Sequence, residues 1–289
     1  MGARTISPRA LARGLVSVAV ALLLWELGSR SKQWLGAGVF APVRALLGAL
    51  GFKETYLPCI GAVPPPSAVV HAWAGVIGDL GYWQSWGRSF LRVMGGFTVA
   101  MVVGVPFGLL LAVNRTAFGI AFPVFEVLRP IPPLAWVPAS IIFWPTQELS
   151  ISFVTFLGAF YTIVINVVGG ARAIDGRFFQ AARSMGSSRW DIFRRVILPG
   201  TLPSIVVGAV VGMGITWEVV VAAEMISGGG SQIGGTSGGG LGFFIGNSYV
   251  GGSYEQIVVG MVSIGIAGFI SSELVRVLGR QITPWLRSR

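Results

Sequence analysis

Arg92, Asn166, Glu218 and Glu224 are polar side chains set inside long apolar runs. A charge at the centre of a membrane-spanning helix costs about 2.5–3.5 kcal/mol on an insertion scale, so such groups face a protein interior or a watery passage. Arg92 carries the most specific chemistry, because a guanidinium holds a planar oxyanion through two parallel N–H donors. Two readings stay open for it. It forms an anion-attracting mouth near the outer end of its run, or it snorkels to the interface or pairs with a carboxylate such as Glu224. Trp136, Trp144 and Trp217 are aromatic candidates for the same path, with interfacial belts and packing as the alternative.

Bond-making chemistry finds no support. The chain has no His-Glu-x-x-His and no G-x-x-x-x-G-K-[S/T] phosphate loop. His71 and Cys59 are the single histidine and cysteine. One cysteine excludes an internal disulfide, and one histidine without partners makes no metal site. The expectation is a chain with no catalytic site and no bound cofactor or metal, in which any ATP is hydrolysed elsewhere.

The arginine-rich stretch 179–199 is the strongest signal. It is polar and helix-forming, yet it lies between two long apolar runs, so it must sit in water beside a membrane. Phe178 to Met185 reads as one short helix ending at Gly186, a natural C-terminal glycine. Ser187 or Ser188 then caps a second helix, with Asp191 in its first turns, where a negative charge suits the helix dipole. That helix is expected to stop at Pro199. Ala181 and Ala182 keep one face small for close approach by a partner, and Arg183, Arg189, Arg194 and Arg195 offer donors to a partner's carboxylates. The alternative is a basic pair of helices resting on anionic lipid. Met185 and Trp190 are the expected anchors of a protein interface.

The rest of the chain must hold these groups in a bilayer. Of 289 residues, 53% are hydrophobic and only 11% charged, against roughly 25% charged in soluble domains. Six spans are expected: Ala12–Ser29, Ser89–Val113, Ile120–Phe143, Leu149–Gly169, Leu202–Ile226 and Gln256–Val277. Each is long enough to cross as helix, and helix is the default where lipid offers no hydrogen bonds. The fold class is therefore all-α and integral to a membrane, multi-pass. The basic N-terminal arm before the first span resembles a secretory signal, but no Ala-x-Ala follows, so an uncleaved anchor is expected. The net charge of +10 comes from arginines between apolar runs. Fourteen basic residues, with Arg13 and Arg276 at the edges of their spans included, fall on one side of the six spans and five on the other, which places both termini in the cytoplasm. No basic-aromatic module for nucleic acid is visible.

Pro130, Pro132 and Pro133 interrupt the third span, either as a loop between two helices or as a kinked helix lining a pathway. The region 32–86 contains a Val63-Pro-Pro-Pro-Ser67 link and an amphipathic stretch near Ala68–Leu80. Ser227–Ser253 reads as a flexible, glycine-rich external loop. The expected division is 1–63 as N-terminal helix and external segment, 64–280 as the transmembrane domain with a cytoplasmic loop at 171–200, and 281–289 as a cytoplasmic tail.

Gln180-Ala181-Ala182, Gly186 and Ile197-Leu-Pro199 stand in register with the coupling loop of binding-protein-dependent ABC-importer permeases, which the chain resembles. Gln180 replaces the usual glutamate of that loop. Ser89–Phe97 and Gly104–Gly108 resemble the family's first core helix. Leu128–Pro138, Trp217 with Ala223-Glu224-Met225, and Gly239–Gly242 resemble its nitrate, taurine (sulfonate) and bicarbonate branch. The resemblance implies a five-helix core plus an added N-terminal helix in a bacterial inner membrane. It also implies a second permease copy or paralogue, cytoplasmic ATPase subunits that bind ATP and magnesium, and a periplasmic or lipid-anchored solute-binding protein. In that family Gln180, Ala181, Ala182, Met185, Gly186, Trp190, Asp191 and Pro199 would meet the ATPase. The solute would be small and anionic, with Arg92, Trp136, Asn166, Trp217, Glu218 and Glu224 as candidates for its path. The alternative from another class is an ion-coupled secondary transporter working without an ATPase. Its mark would be paired broken helices, and none is evident.

Overall fold

The computed structural model describes residues 8–52, 61–226 and 239–285. Cys59 and the glycine run 228–238 lie outside the described residues. Two compact units emerge: residues 1–79 with 248–259, and residues 80–247 with 260–289.

In the first unit, α1 (Pro8–Ser29) leaves Leu15, Val16, Leu23 and Leu24 exposed, as lipid contact requires. The short helices α2 (Ser31–Leu35) and α3 (Ala41–Ala49) follow, then α4 (Pro66–Val76). The start of α4 is fastened to α1. Glu26 accepts from the Ser67 backbone N–H at 3.1 Å and its hydroxyl at 2.8 Å, and Arg30 pairs with Glu26 at 2.6 Å. The amphipathic stretch expected near residues 68–80 is the eleven-residue α4, shorter than the sequence suggested.

The second unit is built on α5 (Leu80–Val113), α8 (Gln147–Arg172) and α11 (Leu198–Ile226), with α8 between the other two. Lipid tails are as apolar as leucine, so helices in a membrane associate through close packing rather than hydrophobic exclusion. Small residues supply it here. A methyl group on Gly108 of α5 would lie 2.8 Å from Val167 Cβ of α8, and one on Gly208 of α11 would lie 2.8 Å from Asn166 Cβ. Gly158 of α8 likewise receives Val219 of α11. These contacts bring the three backbones together.

Asn114 ends α5 and caps α6 (Arg115–Leu128), accepting from the Thr116 and Ala117 N–H groups. An aromatic cluster pins α6 down. Phe125 packs on Tyr161 and Phe160 of α8, and the Arg172 guanidinium lies 3.5 Å above the Phe118 ring. The proline run then breaks the helix. A 3₁₀ turn at Pro133–Trp136 leads into α7 (Val137–Phe143), and the chain bends by 88° between α6 and the Pro133–Phe143 piece. Among the described residues, five helices are long and apolar enough to span a bilayer, six if this bent pair counts as one.

Three expectations need correction. Helix α5 begins at Leu80, nine residues before the expected start, because Tyr82 is buried and bonds the Ser263 hydroxyl at 2.7 Å. Pro199 does not end the second helix of the arginine-rich stretch. A π-helical turn at Phe193–Ile197 carries the chain into α11, and Pro199 falls in the first turn of that helix, where a missing donor costs least. Residues 241–250, read as loop, form the helix α12 (Leu241–Val250), ahead of α13 (Tyr254–Ile282). Gly239 and Gly240 mask its start in sequence.

Gly108→Leu should therefore lower the thermal midpoint of the detergent-solubilised protein, at a cost of about 1–3 kcal/mol for overpacking. Gly95→Leu, whose added methyl would meet nothing within 4 Å, should leave it unchanged or raise it.

Candidate functional site

The arginine-rich stretch folds by local rules. Asp175 caps α9 (Gly176–Ser184), accepting from the Arg177 N–H at 2.9 Å. At the other end, Gly186 adopts φ +75°, its N–H bonds the Arg183 carbonyl at 2.9 Å, and the Ser187 N–H bonds the Ala182 carbonyl at 3.0 Å. This is a Schellman closure with glycine in the left-handed position that β-carbons disfavour. Ser188, of the two serines considered, caps α10 (Arg189–Ile192). Its hydroxyl accepts from the Asp191 N–H, and the Asp191 carboxylate accepts from the Ser188 N–H, each at 3.2 Å, forming a reciprocal capping box. The product is a two-helix knob. Ala182 is buried within it; Gln180 and Ala181 are exposed. Phe178, Met185 and Trp190 project outward at 62%, 78% and 67% exposure, and Trp190 stacks on Phe193. Asp191 is half-buried and closes the capping box; Pro199, also half-buried, lies beyond the knob in the first turn of α11.

The second constellation joins residues far apart in sequence. Glu224 of α11 is fully buried. Its carboxylate accepts from Arg92 Nη1 at 2.7 Å, from the Ser89 hydroxyl at 2.8 Å and from the Gly242 N–H at 2.9 Å. The Leu241 N–H in turn donates to the Ser89 oxygen at 2.8 Å. The far edge of the Arg92 fork grips Glu148 in the first turn of α8, with Nε at 2.8 Å from Oε2 and Nη2 on Oε1. Three long helices and the start of α12 thus meet at one ionic cluster. A β-carbon on Gly240 would collide with the Glu224 carboxylate, and one on Gly242 would strike the Val221 carbonyl oxygen. Those glycines let the backbone lie against the buried charge.

Of the two readings of Arg92, the structure shows the pairing with a carboxylate, and it adds Glu148, which the sequence had not offered. The other path candidates lie apart. The Trp217 indole donates to Ser271 of α13 at 2.8 Å. The Asn166 amide donates to the Thr162 carbonyl at 2.8 Å. Trp136 sits in the turn at the bend, its indole N–H buried without an acceptor. Glu218 is exposed on α11.

A cavity of about 290 Å³ opens beside the bend, lined by Arg129, Pro133, Leu157, Gly158, Tyr161, Thr162, Ile165 and Ile215. Sequence reasoning passed over Arg129 because it falls at the edge of a span; its place directly before the proline run was the available signal. No group of three or more metal-ligating side chains occurs among the described residues.

Bundled apolar helices with a bent span, and a polar knob between two of them, make up a multi-pass membrane protein. Residues 104–288 match the family of binding-protein-dependent transport system inner membrane components. A putative ABC transporter permease of Methanocaldococcus jannaschii is 34% identical over 79% of this chain and 82% of its own length. The nitrate import permease NrtB of Synechocystis is 30% identical over 96% and 91%. The taurine transport permease TauC of Escherichia coli is 31% identical over 77% and 80%. The inward-facing MetNI methionine ABC transporter provides a structural match with a TM-score of 0.52 at 24% identity, covering 73% of this chain and 97% of that one. The chain belongs to the family of ABC-transporter permeases, as a multi-pass inner-membrane protein.

Removing one partner of a buried ion pair leaves the other charge uncompensated, at about 3–5 kcal/mol. Arg92→Met should therefore abolish cooperative unfolding at the wild-type midpoint in detergent. Arg92→Met combined with Glu224→Met should recover part of the loss, as a double-mutant cycle of thermal midpoints would show.

Proposed function

We propose that this chain is the permease subunit of an ATP-driven importer, carrying a small solute with an oxyanion group handed over by an external binding protein. The observation that carries the reading is the knob. Phe178, Met185 and Trp190 are large apolar side chains held out from a polar segment by caps that fix their direction. Exposed apolar anchors on a rigid, arginine-rimmed surface fit a protein partner that covers them. The partner implied by the family is a cytoplasmic ATPase, which binds ATP and magnesium. A second permease copy or a paralogue completes the channel, and the excess of arginine on the knob side favours both termini in the cytoplasm. The oxyanion class is supported by relatives named for nitrate, taurine and bicarbonate.

In such a machine the knob passes movement of the ATPase to α8 and α11, between which it is strung. Rigidity at both ends of α9 and α10 is then a functional requirement. The family's glutamate is Gln180 here and exposed, so the contact at that position works through hydrogen bonding rather than an ion pair.

Gly186→Val tests the assignment in the reconstituted complex. A β-carbon there meets nothing within 4 Å, so the defect is purely conformational, about 1–2 kcal/mol for a left-handed non-glycine residue. Membrane insertion should persist, while binding-protein-stimulated ATP hydrolysis and solute uptake disappear. Gly186→Asn should retain both. Normal coupling in the valine variant would remove the knob from the mechanism. Trp190→Ala should weaken ATPase association by about tenfold, as loss of an interface anchor worth about 1.4 kcal/mol does.

A further inference from the structure

The first unit carries a short apolar helix that is barely covered by protein. Of the nine residues of α3 (Ala41–Ala49), only Leu47 is partly buried. Val43, Leu46 and Leu50 are exposed, and so is Val39 one turn ahead. Spacings of three and four residues set these side chains in one stripe along the helix. Ala45 and Gly48 lie on the far side, with Arg44 flanking. Among the described residues α3 packs mainly on α2 and on the 3₁₀ turn Gly38–Phe40.

The depth of α3 is set by the helix before it. α1 is long and apolar enough to span a bilayer, and its Leu23, Leu24 and Leu27 are exposed up to the last turn. Acyl chains therefore reach the level of Leu27. The Trp34 indole of α2 donates to the Leu27 carbonyl at 3.0 Å. Phe40, the residue before α3, packs edge-on against Trp34 with ring centroids 5.3 Å apart. Ser31 and Leu35 of α2 are buried, so the junction is packed. α3 thus starts beside the last turn of α1, where a tryptophan sits as it does in interfacial belts. An apolar stripe at that level meets hydrocarbon, and Arg44 can extend its guanidinium to headgroup phosphates. A soluble partner could reach the stripe only by displacing lipid.

We infer that α3 is an interfacial anchor, lying along the bilayer surface at the end of α1 with Val43, Leu46 and Leu50 among the acyl chains and Gly48 toward water. The occupant of the stripe is phospholipid. The anchor gives the first unit a second hold on the membrane beside its spanning helix. α4 is fastened to the same end of α1 through Glu26 and Ser67, so the lipid surface sets the height of a bracket made by α1, α3 and α4. This anchoring needs only α1 to span the bilayer, whatever solute the chain carries.

The test is spin-label depth measurement on the full chain in nanodiscs of phosphatidylethanolamine and phosphatidylglycerol. On a Cys59→Ser background, Val43→Cys, Leu46→Cys and Leu50→Cys sample the stripe, and Ala45→Cys and Gly48→Cys the far side. Each carries a nitroxide; a β-carbon at Gly48 meets nothing within 4 Å. Labels on the stripe should collide freely with oxygen, stay shielded from a water-soluble nickel chelate, and lie about 5–10 Å below the lipid phosphates. The Gly48 label should show the opposite preference. Leu46→Asp with Leu50→Asp should lift the helix and open the Val43 label to nickel. Stripe labels that meet nickel as readily as the Gly48 label would overturn the inference, because α3 would then stand in water. Labels shielded from both reagents would overturn it in favour of a protein cover. So would a label at Leu46 or Leu50 that unfolds the protein, since a lipid-facing position tolerates added bulk.

Discussion

A carboxylate sealed among apolar helices must be answered by fixed donors, and Glu224 organises the second unit by that requirement. Arg92 answers it from α5, Ser89 from one turn earlier, and the Gly242 N–H from the start of α12. Arg92 carries the demand onward to Glu148 on α8. Each partner has few alternatives at that depth, since neither lipid nor water can replace it. The cluster therefore fixes the register of α5, α8 and α11 at one end. The close approach of Gly108 to Val167 and of Gly208 to Asn166 fixes it further along.

With those three helices set, the remaining features find their places. The aromatic packing of Phe125 on Phe160 and Tyr161 seats α6, and the proline run swings the chain through 88°. That bend opens the cavity and gives Arg129 a wall to stand on. At the other end of α8 the polar knob begins. The same helix thus meets the recess and leads to the proposed motor contact, which is the continuity a coupled pump needs. Packed helices shift between discrete arrangements rather than deforming smoothly, so small displacements at one end are carried to the other.

Much of this was legible in the chain itself. Long apolar runs locate the spans, because a bilayer admits few other solutions. The knob was legible because capping is local: Gly186, Ser188 and Asp191 lie within six residues and declare their roles by type. The ionic cluster was half legible. Arg92 and Glu224 stood out as charges inside apolar runs, but Glu148 sits outside the expected edge of its span, and its partner lies 56 residues away. Helix α12 was hidden by the glycines that precede it, whose purpose appears only once Glu224 is seen beneath them. Pro199 misled because a proline normally closes a helix, and the π turn before it left no trace in composition.

The central claim is that the knob at 176–192 is the surface on which a separate ATPase acts. Site-directed crosslinking reads this contact directly. Met185→Cys and Trp190→Cys, each with Cys59 replaced by serine, would be probed in membranes containing the whole complex, with and without nucleotide. The account predicts adducts with the ATPase subunit from both positions, and yields that change between nucleotide states. Labelling of either cysteine by a membrane-impermeant reagent added outside intact cells, or adducts formed with phospholipid alone, would contradict it.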